Sequence, residues 1–367
     1  MKISIITFHD VKNFGATLQC CAMSKHLDKY GADVEVIDYQ PKYLKQRKSI
    51  FKEIETGKGI RKTLGCIKHN IKLLTYYGRL KRKEKRYDEF IHDNLRLTHR
   101  YESVSQLYDD PPWADLYICG SDQIWNPVLT GGKPDKAYFL GFVEGIKVSY
   151  GVSLGEVDIT EYVDVFRDMT NDFKALSVRE KTSAEELADA LGKNVEVVLD
   201  CTLLLEENDY SPMESRECKI DEPYLLLYNI QHSLITIDIA KREAERRNLI
   251  IVDISPKPFK KVDGARHLLD IGPGEFLSLF KGASFVVTNS FHGCTFSIIY
   301  KKQFIAVPHT VRYTRMVDLM ESLGLKDRIA YDNDHEICGE IVFDEVYELL
   351  GDMRNRSYRY IDSAIAY

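Results

Sequence analysis

The segment Val286–Thr295 carries the residues best suited to chemistry in this sequence. An apolar strand is predicted to end at Thr288, and a short polar loop then opens a helix that starts near Gly293–Thr295. The free N–H groups at a helix start attract phosphate or carboxylate, with Asn289 and Ser290 beside them, and Gly293 would let the backbone approach a ligand closely. His292 is the side chain able to exchange protons near neutral pH. The pattern predicts an anion site with His292 at its centre; the alternative is a histidine with a purely structural role.

A second polar cluster follows another predicted strand, in the segment GSDQIWNP at 120–127. Ser121, Asp122 and Gln123 offer hydrogen bonds beside the indole of Trp125, and a sugar needs both kinds of contact. We therefore predict that these residues bind a sugar, with Asp122 also a catalytic residue. The alternative is a plain turn capped by Asp122.

A third cluster is Asn13-Phe14-Gly15, after the first predicted strand. It lacks the remaining glycines of a GxGxxG fingerprint, so it does not indicate a dinucleotide site. We place Asn13 and Gly15 with the residues that bind the same sugar, which is the acceptor in the transfer reaction considered below. The alternative is a turn in which Asn13 caps the following helix.

Arg179 directly follows the predicted strand at 175–178. Its forked guanidinium suits a carboxylate or a phosphate, although an ordinary ion pair with Glu180 or across lobes explains it equally well. Arg312 and Arg315, beyond the predicted strand at 304–307, are similar candidates with weaker support.

The elements that must position these residues form two successive β-α series. We predict an α/β fold with a first Rossmann-like lobe at 1–205, a polar link at 206–222, a second Rossmann-like lobe at 223–338 and a helical tail at 339–367 that packs on the first lobe. Ligands bind beyond the carboxyl ends of strands in such sheets, so the polar clusters should meet in the cleft between the lobes.

Composition favours a folded protein of the cytoplasm. The chain has 367 residues, of which 44% are hydrophobic and 29% charged. No apolar run approaches the roughly 20 residues that span a bilayer, and the opening MKISIITFHD is interpreted as a buried strand rather than a signal. The 8 cysteines form no CxxC pair and no zinc-like spacing with histidine, so we expect reduced thiols, no metal site and no cofactor.

Charge is unevenly distributed. Residues 42–100 hold 18 Lys and Arg against 6 Asp and Glu, whereas the whole chain carries −6. This helix-prone insert includes RLKRKEKR at 79–86, which is predicted either to contact the inner face of a membrane peripherally or to be an ordinary solvated helix surface. Nucleic-acid binding is disfavoured because the whole chain is acidic and carries no known motif.

Several segments, taken in order, resemble the polysaccharide pyruvyl transferase family. They are ITFHDVKNFGATLQ with VEVIDYQP, GSDQIWNP, SVREK, VVLDCTLLL, VVTNSFHGCTFSIIY and MVDLMESLGLKDR. Each segment alone is weakly specific, but their order and spacing over most of residues 1–330 are specific together. The resemblance implies a glycosyltransferase-B-like fold and transfer of a pyruvyl group from phosphoenolpyruvate to two hydroxyls of one sugar or lipid-linked glycan, giving a cyclic ketal and phosphate.

The resemblance also assigns residues. The family's functional histidine maps to His292 and the arginine of SVRE maps to Arg179. Asn289, Ser290 and Gly293 belong to the histidine's loop and, with Arg312, are expected to bind the donor. His292 would act as an acid/base or as a phosphate partner, and Asp122 as a base or as an acceptor for a sugar hydroxyl. Cys201 and Cys294 stand where the family more often has Pro and a small residue, two departures expected near the cleft. The alternatives are a nucleotide-sugar glycosyltransferase of the same fold and a non-catalytic glycan-binding protein.

Overall fold

The computed structural model describes residues 1–51, 60–155, 157–308, 314–337 and 339–366. It is an α/β structure with two parallel sheets and helices packed around them. Most strand residues are buried, which is why the strands appear in the sequence as short apolar runs rather than as alternating patterns.

The first sheet has six strands in the order β2-β1-β3-β4-β5-β6. The first lobe runs through β1 (Lys2–Ile6), α1 (Phe14–Asp28), β2 (Asp33–Val36), α2 (Lys42–Lys48), α3 (Ile60–Leu74), α4 (Tyr77–Asn94), α5 (Val104–Asp109), β3 (Leu116–Asp122), β4 (Ile146–Val152), α6 (Val163–Met169), β5 (Leu176–Val178), α7 (Lys181–Leu191) and β6 (Val195–Val197). Every strand pair is parallel, so the carboxyl ends of β3, β5 and β6 lie along one edge.

The second sheet has five strands in the order β11-β10-β7-β8-β9. After a short α8 (Glu207–Tyr210), the second lobe runs through β7 (Tyr224–Tyr228), α9 (Leu234–Arg247), β8 (Ile250–Asp253), β9 (Arg266–His267), α10 (Pro273–Gly282), β10 (Phe285–Thr288), α11 (Phe291–Ile299), β11 (Phe304–Ala306) and α12 (Thr314–Ser322). The chain ends with the long α13 (Phe343–Ile365).

The two lobes share one apolar core. The ring of Phe14, at the start of α1, stacks on Phe276 of α10 with centroids 4.6 Å apart and on Tyr87 of α4 at 5.5 Å. Tyr210 of α8 is buried in the same core and contacts Phe296 at 5.3 Å. Because aromatic packing crosses the lobe boundary, the lobes are held in a fixed relation around the cleft.

The helix α13 packs on the first lobe. The hydroxyl of Tyr360 donates to the carbonyl of Ser149 at 2.6 Å, and the hydroxyl of Ser357 accepts from the amide of Leu199 at 2.9 Å. Arg354 donates to the carbonyl of Leu203 at 2.7 Å. These bonds fix the region directly beyond β6, where Asp200 begins the next turn.

The basic segment at 79–86 braces the two lobes. Arg82 pairs with Asp270 of the second lobe at 2.9 Å, Arg79 lies 3.4 Å from the same carboxylate, and Arg86 lies 3.3 Å from Glu275. Its arginines therefore neutralise acidic groups of the second lobe. The sequence analysis considered membrane contact and a solvated helix surface for this segment, but not ion pairs between the lobes. No helix in the described ranges is long and apolar enough to cross a membrane, and peripheral contact with a membrane stays a prediction.

Candidate functional site

The carboxyl ends of the first sheet bring three charged residues to the cleft, and the second lobe places His292 opposite them. Nη1 of Arg179 donates to Oδ2 of Asp200, and Nε2 of His292 lies 3.6 Å from the same oxygen. Nη2 of Arg179 lies 3.7 Å from Oδ1 of Asp122. Arg179 and His292, which the sequence placed in a common gap, are thus joined through one buried carboxylate.

The start of α1 lies directly against the imidazole. A Cβ atom added to Gly15 would stand 2.0 Å from Nδ1 of His292, far inside contact distance. Asn13 is the N-cap of α1, and its side chain accepts from the amide of Ala16 at 3.3 Å. The helix starts of α1 and α11, one from each lobe, therefore meet at His292, and only glycine fits at position 15.

The helix α11 begins earlier than the sequence predicts. Ser290 is its N-cap, so His292 and Gly293 lie in the first helical turn rather than in a loop before it. The hydroxyl of Thr288 accepts from the amide of Ser290 at 3.0 Å, and a Cβ on Gly293 would stand 2.1 Å from that hydroxyl oxygen. The expected reason for Gly293, close approach to a ligand, is therefore wrong: it lets α11 pack on the end of β10.

The side chain of Asn289 forms hydrogen bonds within the second lobe. Its side chain is completely buried, its amide nitrogen donates to Oδ1 of Asn229 at 2.6 Å, and its oxygen accepts from the amide of Ile230 at 2.8 Å. Both ends of the amide are used, which contradicts the prediction that Asn289 binds the donor. It holds the turn after β7 beside the cleft.

Trp125 is a core residue. Its side chain has no exposed surface, its Nε1 donates to the carbonyl of Tyr138 at 3.0 Å, and its ring stacks on Phe139 with centroids 4.7 Å apart. The prediction that this indole contacts an acceptor sugar is wrong, because an aromatic ring beside polar residues in sequence can turn inward while its neighbours turn outward.

The end of β3 has an unusual backbone. Ser121 and Asp122 both have positive φ, 26° and 69°, a conformation that costs free energy outside glycine. The hydroxyl of Ser121 donates to Asp200 at 3.3 Å. When the side-chain amide of Gln123 is oriented with its oxygen towards Arg315, that oxygen accepts hydrogen bonds from Nη1 and Nη2 of Arg315 at 3.1 and 3.2 Å. Ser121 and Gln123, which were predicted to bind the acceptor, therefore form hydrogen bonds with charged residues of the site.

The site predicted from the sequence did not include the carboxylates of Asp200 and Glu180. Asp200 follows β6, and its position beyond a strand end was the signal that could have identified it. Glu180 was weighed only as a partner for Arg179. It is 1% exposed, accepts from the hydroxyl of Ser153 at 2.6 Å, and has Nε of Arg315 at 3.9 Å.

The two buried carboxylates differ in their proton affinity. Burial alone would raise the pKa of Asp200, but Arg179 and His292 hold that pKa well below its ordinary value. Burial raises the pKa of Glu180, and the charges of Arg179 and Arg315 offset only part of this effect. The site therefore pairs a carboxylate that stays ionised with one that binds a proton more readily.

Several buried polar atoms of the cluster have no hydrogen-bond partner. They are Nε and Nη2 of Arg179, Oε2 of Glu180 and Nε2 of His292. Buried polar groups are normally paired, so atoms left unpaired on three neighbouring side chains indicate a place for a ligand. A cavity of about 350 Å³ adjoins Arg179 and Asp200, and its lining also includes the cations Lys181, Arg315 and Arg356.

Both atypical cysteines are buried close to the charged residues of the site. Cys201 and Cys294 have no exposed surface, and burial raises the pKa of each thiol, which disfavours a nucleophilic role. Cys201 directly follows Asp200, and Cys294 lies two residues beyond His292. Arg312, predicted to bind the donor, lies outside the described residues. In the ranges that the structure covers, no group of three or more His, Cys, Asp or Glu side chains could hold a metal ion.

The chain belongs to the polysaccharide pyruvyl transferase family, whose model matches residues 13–310. This confirms the resemblance seen in the sequence and identifies a transferase. A comparison with curated proteins found no match.

One solved structure with a TM-score of 0.50 supports the two-lobed α/β fold, and other solved structures are similar with lower scores. The UDP-N-acetylglucosamine 2-epimerase of Rickettsia bellii is 10% identical, covers 100% of this chain and 99% of its own, and has a TM-score of 0.50. The UDP-GlcNAc 2-epimerase of Methanocaldococcus jannaschii, in complex with UDP-GlcNAc and UDP, is 14% identical with coverages of 99% and 100% and a TM-score of 0.49. The glycosyltransferase SnogD of Streptomyces nogalater is 10% identical with coverages of 99% and 99% and a TM-score of 0.44.

Proposed function

We propose that this protein transfers a pyruvyl group from phosphoenolpyruvate to two hydroxyls of one sugar during the synthesis of a cell-surface polysaccharide. Family membership supports the reaction class. The observation that carries the donor assignment is the set of unpaired N–H groups on Arg179, beside a cavity whose lining holds four cations. Phosphoenolpyruvate has a carboxylate and a phosphate, and two separate cationic points suit such a ligand.

The donor would lie between Arg179 and Arg315. Asp200 fixes one edge of the Arg179 guanidinium and leaves Nε and Nη2 for a ligand oxygen. Arg315 reaches the same region from α12, and both guanidinium groups lie over the ring of Phe291, 5.4 and 5.8 Å from its centroid. Burial strengthens each of these charge contacts, because little water competes for them.

The first step adds an acceptor hydroxyl across the enol double bond. Carbon 2 gains the sugar oxygen, the methylene carbon gains a proton and becomes a methyl group, and the hydroxyl loses its proton. We assign proton delivery to Glu180, because its raised pKa favours the protonated form and its Oε2 has no partner. We assign the base to His292, whose Nε2 lies 3.6 Å from Asp200 and has no hydrogen-bond partner.

The second step closes the ketal. The carbon–oxygen bond to phosphate breaks with its electron pair on phosphate, and carbon 2 becomes oxocarbenium-like. The second hydroxyl attacks that carbon and gives its proton to Glu180, which the first step left ionised, and His292 gives its proton to the departing phosphate. Asp122, whose Oδ1 accepts from the amide of Gln123 at 2.8 Å, is assigned to hold a sugar hydroxyl through its other oxygen.

The direct test measures phosphate release from phosphoenolpyruvate with a panel of sugar acceptors. We expect His292→Ala and Glu180→Gln each to reduce turnover by about 100-fold or more, since acid/base groups typically contribute that much. Lys85→Gln on the exposed face of α4 is the control and should retain turnover. Full turnover by His292→Ala would refute the central assignment. Thermal stabilisation by UDP-N-acetylglucosamine but not by phosphoenolpyruvate would refute the donor.

A further inference from the structure

A second cavity, of about 520 Å³, lies between the insert and the second lobe. Helices α3 and α4 form one wall, and the segment at 256–260 after β8 forms the other. Its lining residues that matter here are the basic Lys12, Lys83, Lys257 and Lys260 and the apolar Leu73, Leu80 and Phe259. Family membership and fold assign no role to this cavity.

Its electrostatic character is positive through Lys83, Lys257 and Lys260, whereas Lys12 is already paired with Asp10 at 3.2 Å and with Asp88. Lys83 lies over the rings of Phe14 and Tyr87, at 5.0 and 5.8 Å from their centroids, and within the described ranges it forms an ion pair with no carboxylate. Burial lowers the pKa of Lys83 to about 8. Glu84, the one acidic residue among the described lining residues, already accepts from Lys81 at 2.6 Å. A partly covered ammonium without a counter-ion favours an anionic occupant.

The cavity adjoins the reaction centre through three consecutive residues of the chain. Lys12 lines it, Asn13 caps α1, and the ring of Phe14 lies under the ammonium of Lys83. The next residue, Gly15, is the one that contacts the imidazole of His292. A ligand group held by Lys83 would thus stand on the α1 side of His292, whereas the cavity assigned to the donor includes Phe291 and Arg179.

We propose that this cavity binds a phosphate group of the acceptor, so that the sugar to be modified is a phosphate ester. The assignment rests on the proposed function, because it takes His292 as the point where the acceptor reacts. The phosphate would lie between Lys83, Lys257 and Lys260, and the sugar would extend from it past Gly15. A glycosyl phosphate and a nucleoside diphosphate sugar share this chemistry, and both are tested.

The experiment measures binding without the donor, by calorimetry on the full chain. The ligands are a hexose 1-phosphate, the matched methyl hexoside and a uridine diphosphate hexose. We expect at least one phosphate ester to bind about tenfold or more tightly than the methyl hexoside, because a hydrogen bond to a charged group contributes that much. Lys83→Gln and Lys260→Gln should each abolish most of that difference. Lys85→Gln removes the same charge from the exposed side of α4 and should change nothing.

The outcomes separate this inference from the proposed function. Equal binding of phosphate ester and methyl hexoside, or unchanged preference in both lysine variants, overturns it even if phosphate release from phosphoenolpyruvate is normal. His292→Gln should keep the phosphate preference and lose turnover. A phosphate preference that depends on Lys260, in a protein that never releases phosphate from phosphoenolpyruvate, would retain the cavity assignment and refute the proposed function. If Lys83→Gln does not fold, Lys260→Gln decides.

Discussion

Replacing Gly15 with alanine tests the geometry of the site more directly than removing a charged group. The added methyl would stand 2.0 Å from Nδ1, 2.3 Å from Cγ and 2.5 Å from Cε1 of His292. Ordinary contact begins near 3.4 Å, so the imidazole or the start of α1 must move by about 1.4 Å. A displacement of about 1 Å at a reacting group costs on the order of 100-fold in rate. We therefore expect Gly15→Ala to lower turnover about 100-fold.

The cost in stability should be moderate and should depend on His292. Overpacking of this kind typically costs about 1–3 kcal/mol in the free energy of unfolding. In a His292→Ala background the imidazole is absent, so adding the methyl at position 15 should cost far less than in the wild type. A double-mutant cycle measured by urea unfolding reports that difference as a coupling free energy. Gly351→Ala in α13, where an added Cβ meets nothing within 4 Å, is the matched control.

Two assays are needed, and they refute different statements. Turnover is measured as phosphate release from phosphoenolpyruvate, and unfolding is followed without substrate. Wild-type turnover in Gly15→Ala would show that the position of the imidazole does not matter to the chemistry. If the effects of Gly15→Ala and His292→Ala on the free energy of unfolding are additive, the start of α1 does not contact His292. The description of the site would then be wrong, whatever reaction the protein performs.

Three further predictions concern the surroundings of the site. Asp200→Asn should cost about 3–5 kcal/mol in unfolding free energy, because it leaves the buried Arg179 without its carboxylate. The folded-state pKa of Asp200 is lowered, so its ionised form stabilises the fold above the ordinary Asp pKa of about 4. In an acid titration of the wild type, this part of the unfolding free energy should be lost as the pH falls below that value. Asp200→Asn should not show this loss. Trp125→Phe should lower the melting temperature yet leave the KM for the acceptor unchanged; a large rise in KM would restore the indole as a sugar contact. Asp270→Asn should increase hydrogen exchange in α4, because Arg79 and Arg82 lose their partner in the second lobe; unchanged exchange would show that these pairs do not brace the lobes.

The sequence predicts the two sheets because parallel strands buried on both faces are short apolar runs, and Phe285–Thr288 is a clear example. The rule that ligands bind beyond strand ends then identifies Arg179 and Asp122. It also applies to Asp200, which stands beyond a strand end in VVLDCTLLL but was not selected among the candidate site residues. A buried carboxylate among apolar residues has to be paired, and its partners come from distant parts of the chain.

Local patterns could not predict the roles that depend on packing between elements. Gly15 and Gly293 look like loop glycines, but the structure shows each as the point where a helix start meets a side chain from another element. Asn289 looks like a ligand contact because it precedes His292. Its amide is taken by Asn229 and Ile230, from a loop about sixty residues earlier, and no spacing in the sequence reveals such a pairing.

The contact between Gly15 and His292 also divides the space around the reaction centre. The cavity proposed for the donor lies on the side of Phe291, and the lysine-lined cavity lies on the side of Lys12. Since the lobes share an aromatic core through Phe14, wide separation of the lobes would expose that core and cost free energy. We therefore expect the two substrates to enter from opposite sides of a nearly closed cleft. The imidazole of His292 would lie between the two substrates. A base must lie there if it is to take a proton from the acceptor while the donor reacts.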